Sequence, residues 1–113
     1  MAQPEPLPLE IDCASAEQAL GQSSCLLLDC REQDEYDATR ITGATLLPMS
    51  QIQNRIAELE PHRDRHVIVY CHHGMRSLQV AHWLRNQGYP KVQSMSGGID
   101  AWSQVIDPTV PRY

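Results

Sequence analysis

The sequence predicts a single α/β domain built on a mainly parallel central sheet with helices on both faces. From residue 7 to residue 106, segments of strand character alternate with segments of helical periodicity. Continuous apolar runs at 25–29 and 67–70 are typical of central strands that are covered on both sides. Such alternation favours parallel strands joined by right-handed crossovers. No linker or repeat divides the chain, so we expect one domain over 1–113, with its core at about 7–106.

The first part of the chain alternates three times between strand and helix. In order, we predict a strand at 7–11, a helix opened by Ser15 and reaching Gly21, a strand at 25–29, a short helix within 32–40, a strand at 44–47, and a helix opened by Ser50 and ended by Pro61. Serine is a common N-cap because its hydroxyl accepts a hydrogen bond from the first helical turn. The last of these helices has Ile52, Ile56 and Leu59 on one face.

The second part begins with a β-branched strand at 67–70 that leads directly into Cys71. After it we predict a helix at about 75–87 with Val80, Ala81 and Leu84 on its buried face, a stop at Gly88, a strand at 92–95, a turn at Gly97-Gly98, a helix at 99–105 and an extended tail at 107–113. Ligands of parallel sheets bind beyond the carboxyl ends of the strands, so the segment that follows Tyr70 is the expected site.

Composition argues against several kinds of partner. A formal net charge of −5 disfavours nucleic acid. The apolar runs are far shorter than the roughly 20 residues that span a bilayer, so no membrane is expected. The start, MAQPEPLPLE, lacks the basic and apolar stretches of a signal peptide, which predicts a cytoplasmic protein. We expect a monomer or a small homo-oligomer.

Charge is unevenly distributed along the chain. Residues 1–37 hold nine acidic residues and one basic residue, whereas residues 38–113 hold eight basic and five acidic residues. If the fold keeps the two parts separate, an anionic substrate meets the second part more easily. The alternative is that these residues are scattered, solvated surface charges.

The four cysteines, at positions 13, 25, 30 and 71, form no CxxC pair. Zinc ribbons and thioredoxin-type redox motifs are therefore not expected, and a cytosolic chain keeps its thiols reduced. Cys13, Cys25 and Cys30 lie in or beside apolar or helical segments. In such places a cysteine normally acts as a small buried hydrophobe.

Cys71 lies instead where a strand ends and a helix begins, in the segment Cys71-His72-His73-Gly74-Met75-Arg76-Ser77. Unpaired N–H groups of the first helical turn, the helix dipole and the charge of Arg76 all favour a thiolate, so we predict a lowered pKa for Cys71. Gly74 permits a tight curl in which N–H groups form a nest for an anion. The same nest suits the anionic outer sulfur of a persulfide on Cys71. The alternative is an inert, buried cysteine.

This loop resembles the active-site loop of rhodanese domains, Cys-x-x-Gly-x-Arg-Ser, with Cys71, Gly74, Arg76 and Ser77 at the matching positions. Two other stretches are similar to family motifs. The first runs from Leu27 to Ala44: Leu27-Leu28-Asp29-Cys30-Arg31 resembles Leu-Leu-Asp-Val-Arg, Glu35-Tyr36 resembles Glu-Tyr, and Ile41-Thr42-Gly43-Ala44 resembles His-Ile-Pro-Gly-Ala. The second is Gly97-Gly98 with Trp102, which resembles the C-terminal Gly-Gly…Trp element. The resemblance covers about residues 7–106.

The resemblance implies a rhodanese-like three-layer fold and an enzyme of the thiosulfate sulfurtransferase type. Such an enzyme moves sulfane sulfur from thiosulfate or another persulfide donor to a thiophilic acceptor through a Cys71 persulfide. Cyanide is the expected acceptor in vitro, and a thiol or a sulfur-acceptor protein is expected in vivo. The implied partners are therefore a small anionic sulfur donor and one of these acceptors.

The resemblance also implies roles for the neighbouring residues. The substrate- or persulfide-binding loop comprises His72, His73, Gly74, Met75 and Arg76, and the supporting residues are Ser77, Asp29 and Arg31. Ser77 also suits a helix cap, Arg76 also suits a plain surface position, and Asp29 with Arg31 also suits structural ion pairs with Glu32 or Glu35. His72 and His73 either line the pocket or are merely exposed.

Two further alternatives concern thiol and metal chemistry. Cys30 stands where valine is common in the family, and it is either a packing residue or a thiol that resolves the persulfide into a disulfide. We expect no metal and no cofactor, because adjacent histidines on a tight loop rarely converge on one ion and a fourth ligand is not apparent.

Two other functions compete with sulfur transfer. The first is the chemistry of Cys-dependent phosphatases and arsenate reductases, in which five residues separate the loop cysteine from the loop arginine. Here only four residues, 72–75, separate Cys71 from Arg76. A shorter loop favours a sulfur atom over a tetrahedral oxyanion. The other competitor is a non-catalytic sulfur-relay or regulatory module, and the presence of Cys71 weakens it.

Overall fold

The computed structural model describes residues 7–22 and 24–113, and within them it contains five strands, five α-helices and one 3₁₀ helix. The elements are β1 Glu10–Ile11, α1 Cys13–Gly21, β2 Leu26–Asp29, α2 Gln33–Ala38, β3 Thr45–Leu46, α3 Ile52–Arg55, the 3₁₀ helix Ile56–His62, β4 Val67–Tyr70, α4 Met75–Asn86, β5 Val92–Met95 and α5 Gly98–Val105. The start of the predicted domain, residues 1–6, lies outside the described residues, as does residue 23. None of the described helices has both the length and the apolar character needed to cross a bilayer.

The five strands form one sheet in the order β1-β5-β4-β2-β3, and every neighbouring pair is parallel. All four residues of β4 are buried, as expected for a strand covered on both faces. Side chains alternate between two apolar clusters on opposite faces of the sheet. Helices α3 and α4 supply one cluster, and α1 and α5 supply the other. The predicted three-layer α/β fold is therefore confirmed.

Three predicted boundaries are wrong because local hydrogen bonding differs from the expected capping. Helix α1 begins at Cys13, since the Asp12 carboxylate accepts a hydrogen bond from the Ser15 N–H at 2.7 Å and acts as the N-cap. Strand β1 is shorter than 7–11, because Pro8 has no N–H to pair. Ser50 does not cap α3, because its hydroxyl donates to Glu32 at 2.6 Å.

The helix predicted to run from Ser50 to Pro61 is divided into two segments. Residues Ile52–Arg55 are α-helical, and Ile56–His62 form a 3₁₀ helix that includes Pro61. Pro61 therefore lies within the second segment instead of ending a single helix. The apolar face nevertheless remains, because Ile52 and Leu59 are both buried against the sheet.

Residues 107–113 do not form the predicted extended tail. The side chain of Val110 is buried among residues of α1 and α5, and the Ser103 hydroxyl donates to the Val110 carbonyl. This anchor turns the chain back toward the sheet. Tyr113 consequently lies beside the loop that follows β4, where its ring stacks on His72 with 3.9 Å between ring centroids.

A fully buried ion pair lies at the carboxyl end of β2. The Arg31 Nη2 and the Asp29 Oδ2 are 2.7 Å apart, and both side chains have 0% exposure. Arg31 also donates to the Thr39 carbonyl at 2.6 Å and to the Tyr113 hydroxyl at 2.9 Å. The expected structural pairing with Glu32 or Glu35 is therefore wrong: Asp29 and Arg31 pair with each other, which locks the turn between β2 and α2.

We predict that Arg31→Ala lowers the free energy of unfolding by about 3–5 kcal/mol, because it leaves the Asp29 carboxylate buried without its cation. Thermal or urea denaturation measures this change. Arg55→Ala is the matched control, since Arg55 pairs with Glu58 at 2.7 Å in solvent and such pairs contribute about 0–1 kcal/mol. Equal losses in the two variants would contradict the assigned role of the buried pair.

Candidate active site

The loop between β4 and α4 places Cys71 at the carboxyl end of the central strand. Gly74 is the N-cap of α4 and has a φ of 102°, in the left-handed region that favours glycine. A Cβ at this position would also lie 3.1 Å from the Gly97 nitrogen. Glycine is therefore required both to reverse the chain and to let the neighbouring turn approach.

The sulfur of Cys71 is enclosed by hydrogen-bonding groups of this loop. The Gly74 N–H lies 3.1 Å from Sγ, the Ser77 N–H lies 3.3 Å away, and the Ser77 hydroxyl oxygen lies 3.5 Å away. The Ser77 hydroxyl in turn shares a 2.7 Å hydrogen bond with the hydroxyl of Ser94. Cys71 is only 1% exposed, so these contacts lie away from bulk water.

Helix α5 holds the loop from its outer side. The Ile99 N–H donates to the Cys71 carbonyl at 2.9 Å, and the Asp100 N–H donates to the His72 carbonyl at 3.1 Å. A Cβ on Gly98 would overlap both of these carbonyl oxygens. These two bonds and the close approach of Gly98 fix the position of the loop residues that precede Gly74.

These hydrogen bonds lower the pKa of the Cys71 thiol to about 4. The largest contribution is a hydrogen bond from Cys30, followed among the favourable ones by the hydroxyl and N–H of Ser77 and the N–H of Gly74, while burial opposes them. The predicted direction of the pKa shift is confirmed. Its predicted origin is confirmed for the N–H groups of the loop. Hydrogen bonds from neighbouring thiol, hydroxyl and N–H groups are the largest favourable causes, and the charge of Arg76, although paired with Glu35, also interacts with Cys71.

Arg76 is paired with an acid instead of facing the sulfur. Its two terminal nitrogens donate to the Glu35 carboxylate at 2.7 Å and 2.9 Å. This bidentate contact is the main cause that lowers the pKa of Glu35 to about 2. The Tyr113 hydroxyl also donates to Glu35, at 2.7 Å. Glu35 therefore largely neutralises the positive charge that was expected beside the thiolate. About a third of the Arg76 side chain is exposed.

The remaining loop side chains form the outer surface of the site. His72 lies between the rings of His73 and Tyr113, each with a centroid separation of 3.9 Å. Its Nε2 is buried and has no hydrogen-bond partner among the described residues. His73 is exposed, and Met75 is 72% exposed. The loop thus presents stacked rings and the Met75 side chain above the enclosed sulfur.

His72 and His73 approach each other and Asp100, although adjacent histidines on a tight loop rarely converge on one ion. Their ligand-capable atoms and those of Asp100 lie within 4.8 Å of one another. The two imidazoles are stacked at 25°, and Asp100 also accepts from Arg112 at 2.8 Å, so one member of this group already pairs with a cation.

The rhodanese-like domain family matches residues 12–105, which include every strand except β1 and the whole Cys71 loop. This chain belongs to the rhodanese-like domain family. It is 40% identical over 96 residues to a sulfurtransferase from Allochromatium vinosum, which covers 84% of this chain and 88% of the relative. It is 32% identical to the thiosulfate sulfurtransferase GlpE from Pseudoalteromonas translucida, over 90% of this chain and 95% of the relative.

Other similarities show that the domain also occurs within larger proteins. This rhodanese-like domain is 36% identical to a chloroplastic rhodanese-like/PpiC domain-containing protein of Arabidopsis thaliana, of whose length it spans only 30%. Among solved structures, a rhodanese-like domain from Anabaena sp. superposes with a TM-score of 0.79 at 24% identity, over 88% of this chain and 76% of the other. These similarities show the fold, and the names of the relatives support sulfurtransferase activity in general terms.

The structure of the rhodanese-like domain brings only some of the expected site residues to the sulfur. Gly74 and Ser77 contact Sγ, and Ser77 acts as a donor to the sulfur instead of as a helix cap. Asp29 and Arg31 are connected to the loop only through Tyr113, which contacts both Arg31 and His72. Tyr113, which the sequence places in an extended tail, thus links this ion pair to the loop.

Sequence reasoning missed several residues that shape this site. Glu35, Ser94, Gly98 and Asp100 all bind or border the loop, from elements far away in the chain. The Gly97-Gly98 pair was a usable signal, because consecutive glycines mark a close backbone approach as well as a turn. Glu35 and Ser94 carry no comparable signal, since their roles depend on which elements the fold makes adjacent.

We predict that Gly98→Ala destabilises the domain by at least about 2 kcal/mol, because its Cβ would overlap the loop carbonyls at a φ of +60°. The same variant should slow alkylation of Cys71, since the loop must move away from α5 and its N–H groups then no longer hold the sulfur in the same way. Thermal denaturation and iodoacetamide labelling measure the two effects. Gly21→Ala is the control, because a Cβ there meets nothing within 4 Å. Wild-type stability of Gly98→Ala would refute the close approach.

The lowered pKa of Cys71 predicts a distinctive pH dependence of alkylation. The thiolate is the reactive form and persists down to a pKa of about 4, so the iodoacetamide rate at Cys71 should stay nearly level from about pH 8 to about pH 6. An ordinary thiol loses about tenfold in rate per pH unit over this range. Peptide mapping separates Cys71 from Cys13 and Cys25, whose pKa values are raised by burial. A tenfold fall per unit at Cys71 would contradict the assignment.

Proposed function

We propose that this rhodanese-like domain is a sulfurtransferase that carries sulfane sulfur as a persulfide on Cys71. The observation that carries the proposal is the enclosure of Sγ by the Gly74 and Ser77 N–H groups and the Ser77 hydroxyl. The two N–H groups donate to Sγ and favour an ionised sulfur at neutral pH, which is the nucleophilic form of cysteine. In the thiol form, the S–H of Cys71 donates to the Ser77 hydroxyl oxygen. The family membership and the sulfurtransferase relatives support the same reaction class.

In the first half-reaction, the Cys71 thiolate attacks the outer sulfur of the donor. With thiosulfate, a bond forms between Sγ and the outer sulfur, the bond from that sulfur to the sulfonate sulfur breaks, and sulfite leaves with the electron pair. With a low-molecular-weight persulfide as donor, a thiolate leaves instead. The outer sulfur of the product is anionic, and N–H groups of the first turn of α4, which lack intrahelical partners, are suited to hold it.

In the second half-reaction, an acceptor attacks the outer sulfur and Cys71 leaves as a thiolate. Cyanide gives thiocyanate, and a thiol gives a new persulfide. Separation of the transfer into two steps predicts ping-pong kinetics. The exposed rim of His73 and Met75 is the surface that a thiol or a sulfur-acceptor protein would meet first. No metal or cofactor is needed, because both half-reactions only transfer a sulfur atom between nucleophiles.

We predict that incubation with thiosulfate, followed by removal of the donor, increases the intact mass of the protein by one sulfur atom. Native mass spectrometry measures the gain, and peptide mapping should place it on Cys71. Addition of cyanide should return the mass to its starting value and release one thiocyanate per protein, because the persulfide is the transferred species.

Cys71→Ser is the control for this experiment and should show no gain in mass. Cys25→Ser should behave as wild type, because Cys25 is half-buried far from the loop and has a raised pKa. If neither thiosulfate nor glutathione persulfide adds sulfur to the wild-type protein, the proposed function is wrong. Hydrolysis of a phosphate ester in place of sulfur transfer would point to phosphatase chemistry.

A further inference from the structure

Cys30 is a second buried thiol that the fold places beside Cys71. In the parallel pairing of β2 with β4, Asp29 is the register partner of Tyr70, and the Cys30 N–H donates to the Tyr70 carbonyl at 3.1 Å. One step further along both strands, Cys30 and Cys71 are neighbours. Both belong to the same apolar cluster on one face of the sheet, with exposures of 0% and 1%. Their side chains therefore share a water-free space under the loop.

The two thiols divide their protons unequally. The neighbouring thiol is the first cause of both pKa shifts: Cys30 lowers the pKa of Cys71, and Cys71, together with burial, raises the pKa of Cys30. Cys30 thus stays protonated while Cys71 is ionised. The charged and titratable groups around the pair are Asp29 and Arg76, which act on Cys30 in opposite directions, and His72 and His73, which follow Cys71 in the loop.

We propose that Cys30 is a positioning residue that donates its S–H to the Cys71 thiolate and thereby makes Cys71 a better leaving group when the persulfide is discharged. The second part of this inference rests on the proposed sulfurtransferase function, and the first part does not. In the persulfide, the inner sulfur is bonded to the outer sulfur and carries no full charge. The hydrogen bond from Cys30 is therefore strongest before loading and after discharge, when Sγ is a thiolate.

The effect on the two half-reactions should be unequal. A lower thiol pKa makes the thiolate a weaker nucleophile but a faster leaving group. Once Cys71 is fully ionised, the bond from Cys30 therefore gives no advantage in loading and accelerates discharge. The same argument disfavours Cys30 as a resolving thiol. Resolution would require the Cys30 sulfur to attack Sγ as a thiolate and release hydrosulfide, and Cys30 is the group of the pair that keeps its proton.

The first test measures the pH profile of Cys71 alkylation in four proteins. These are the wild type, Cys30→Ala, Cys30→Ser and Cys13→Ala. Cys30→Ala removes the donor, and the apparent pKa of Cys71 should rise by about one to two units, the expected effect of one hydrogen bond to a charged group. Cys30→Ser keeps a donor of similar size and should restore most of the shift. Cys13→Ala removes a buried thiol from the opposite face of the sheet and should match the wild type.

Thermal denaturation of each variant separates this effect from a loss of packing. If Cys30→Ala does not fold, Cys30→Val fills the space without a donor and takes its place. A purely structural role for Cys30 would leave the apparent pKa unchanged in a folded variant. That result, or a failure of serine to restore the shift, would overturn the inference.

The second test follows each half-reaction in a single turnover at a pH above the Cys71 pKa of every variant. Relative to wild type, Cys30→Ala should load sulfur from thiosulfate at an equal or higher rate and should release it to cyanide several-fold more slowly, so that the persulfide accumulates. Equal slowing of both steps, or faster discharge, would overturn the leaving-group role. If the wild type takes up no sulfur, the proposed function fails, while the alkylation profiles still decide whether Cys30 is the donor.

Discussion

The geometry of the site depends on the hydrogen bonds that the first turn of α5 donates to the carbonyls of Cys71 and His72. These two bonds fix the orientation of the peptide units that join Cys71 to His73, and so set the path by which the chain reaches Gly74. Gly98 permits this contact because a side chain there would occupy the space of the two carbonyl oxygens. Gly74 completes the curl with its positive φ. The ring of donors around Sγ is thus a consequence of how β4, α4 and α5 are packed.

Charged groups near the loop are compensated in pairs. Arg76 is bound by Glu35, Arg31 by Asp29, and Arg112 by Asp100. The ionised sulfur is therefore stabilised mainly by neutral groups, namely the N–H groups of Gly74 and Ser77 at 3.1 and 3.3 Å, the Ser77 hydroxyl and the Cys30 thiol. Such interactions depend on geometry and are only weakly screened by salt, unlike those between exposed charges. The uneven charge of the two halves of the chain, which suggested an anion-attracting second half, is partly cancelled where Glu35 meets Arg76.

The sequence was sufficient to predict features that are local or periodic. Strand β4 and helix α4 follow from the β-branched run before Cys71 and the apolar stripe after it, and both occur as expected. The course of residues 107–113 and the partner of Arg76 were not predictable, because they depend on contacts between residues distant in the chain. Val110 anchors the tail through a single apolar side chain, and Glu35 reaches Arg76 across 41 residues. No periodic pattern records either contact. Cys30 was noticed as a departure from valine, but only the register of β2 with β4 shows that it lies beside Cys71.

Most groups that contact Sγ carry no charge, and this affects both the uptake and the release of sulfur by a sulfur carrier. A fixed cation beside Sγ would attract an anionic donor, but it would also hold the departing sulfite and the charged outer sulfur, and so would oppose the following step. Neutral donors stabilise whichever sulfur is anionic at a given moment and exert little force on species that have left contact. Cys30 acts in the same way from beneath the loop, because a thiol that keeps its proton supplies a hydrogen bond without adding charge. In the proposed function, a buried thiol beside the thiolate therefore favours release of the sulfur without adding a charge beside Sγ.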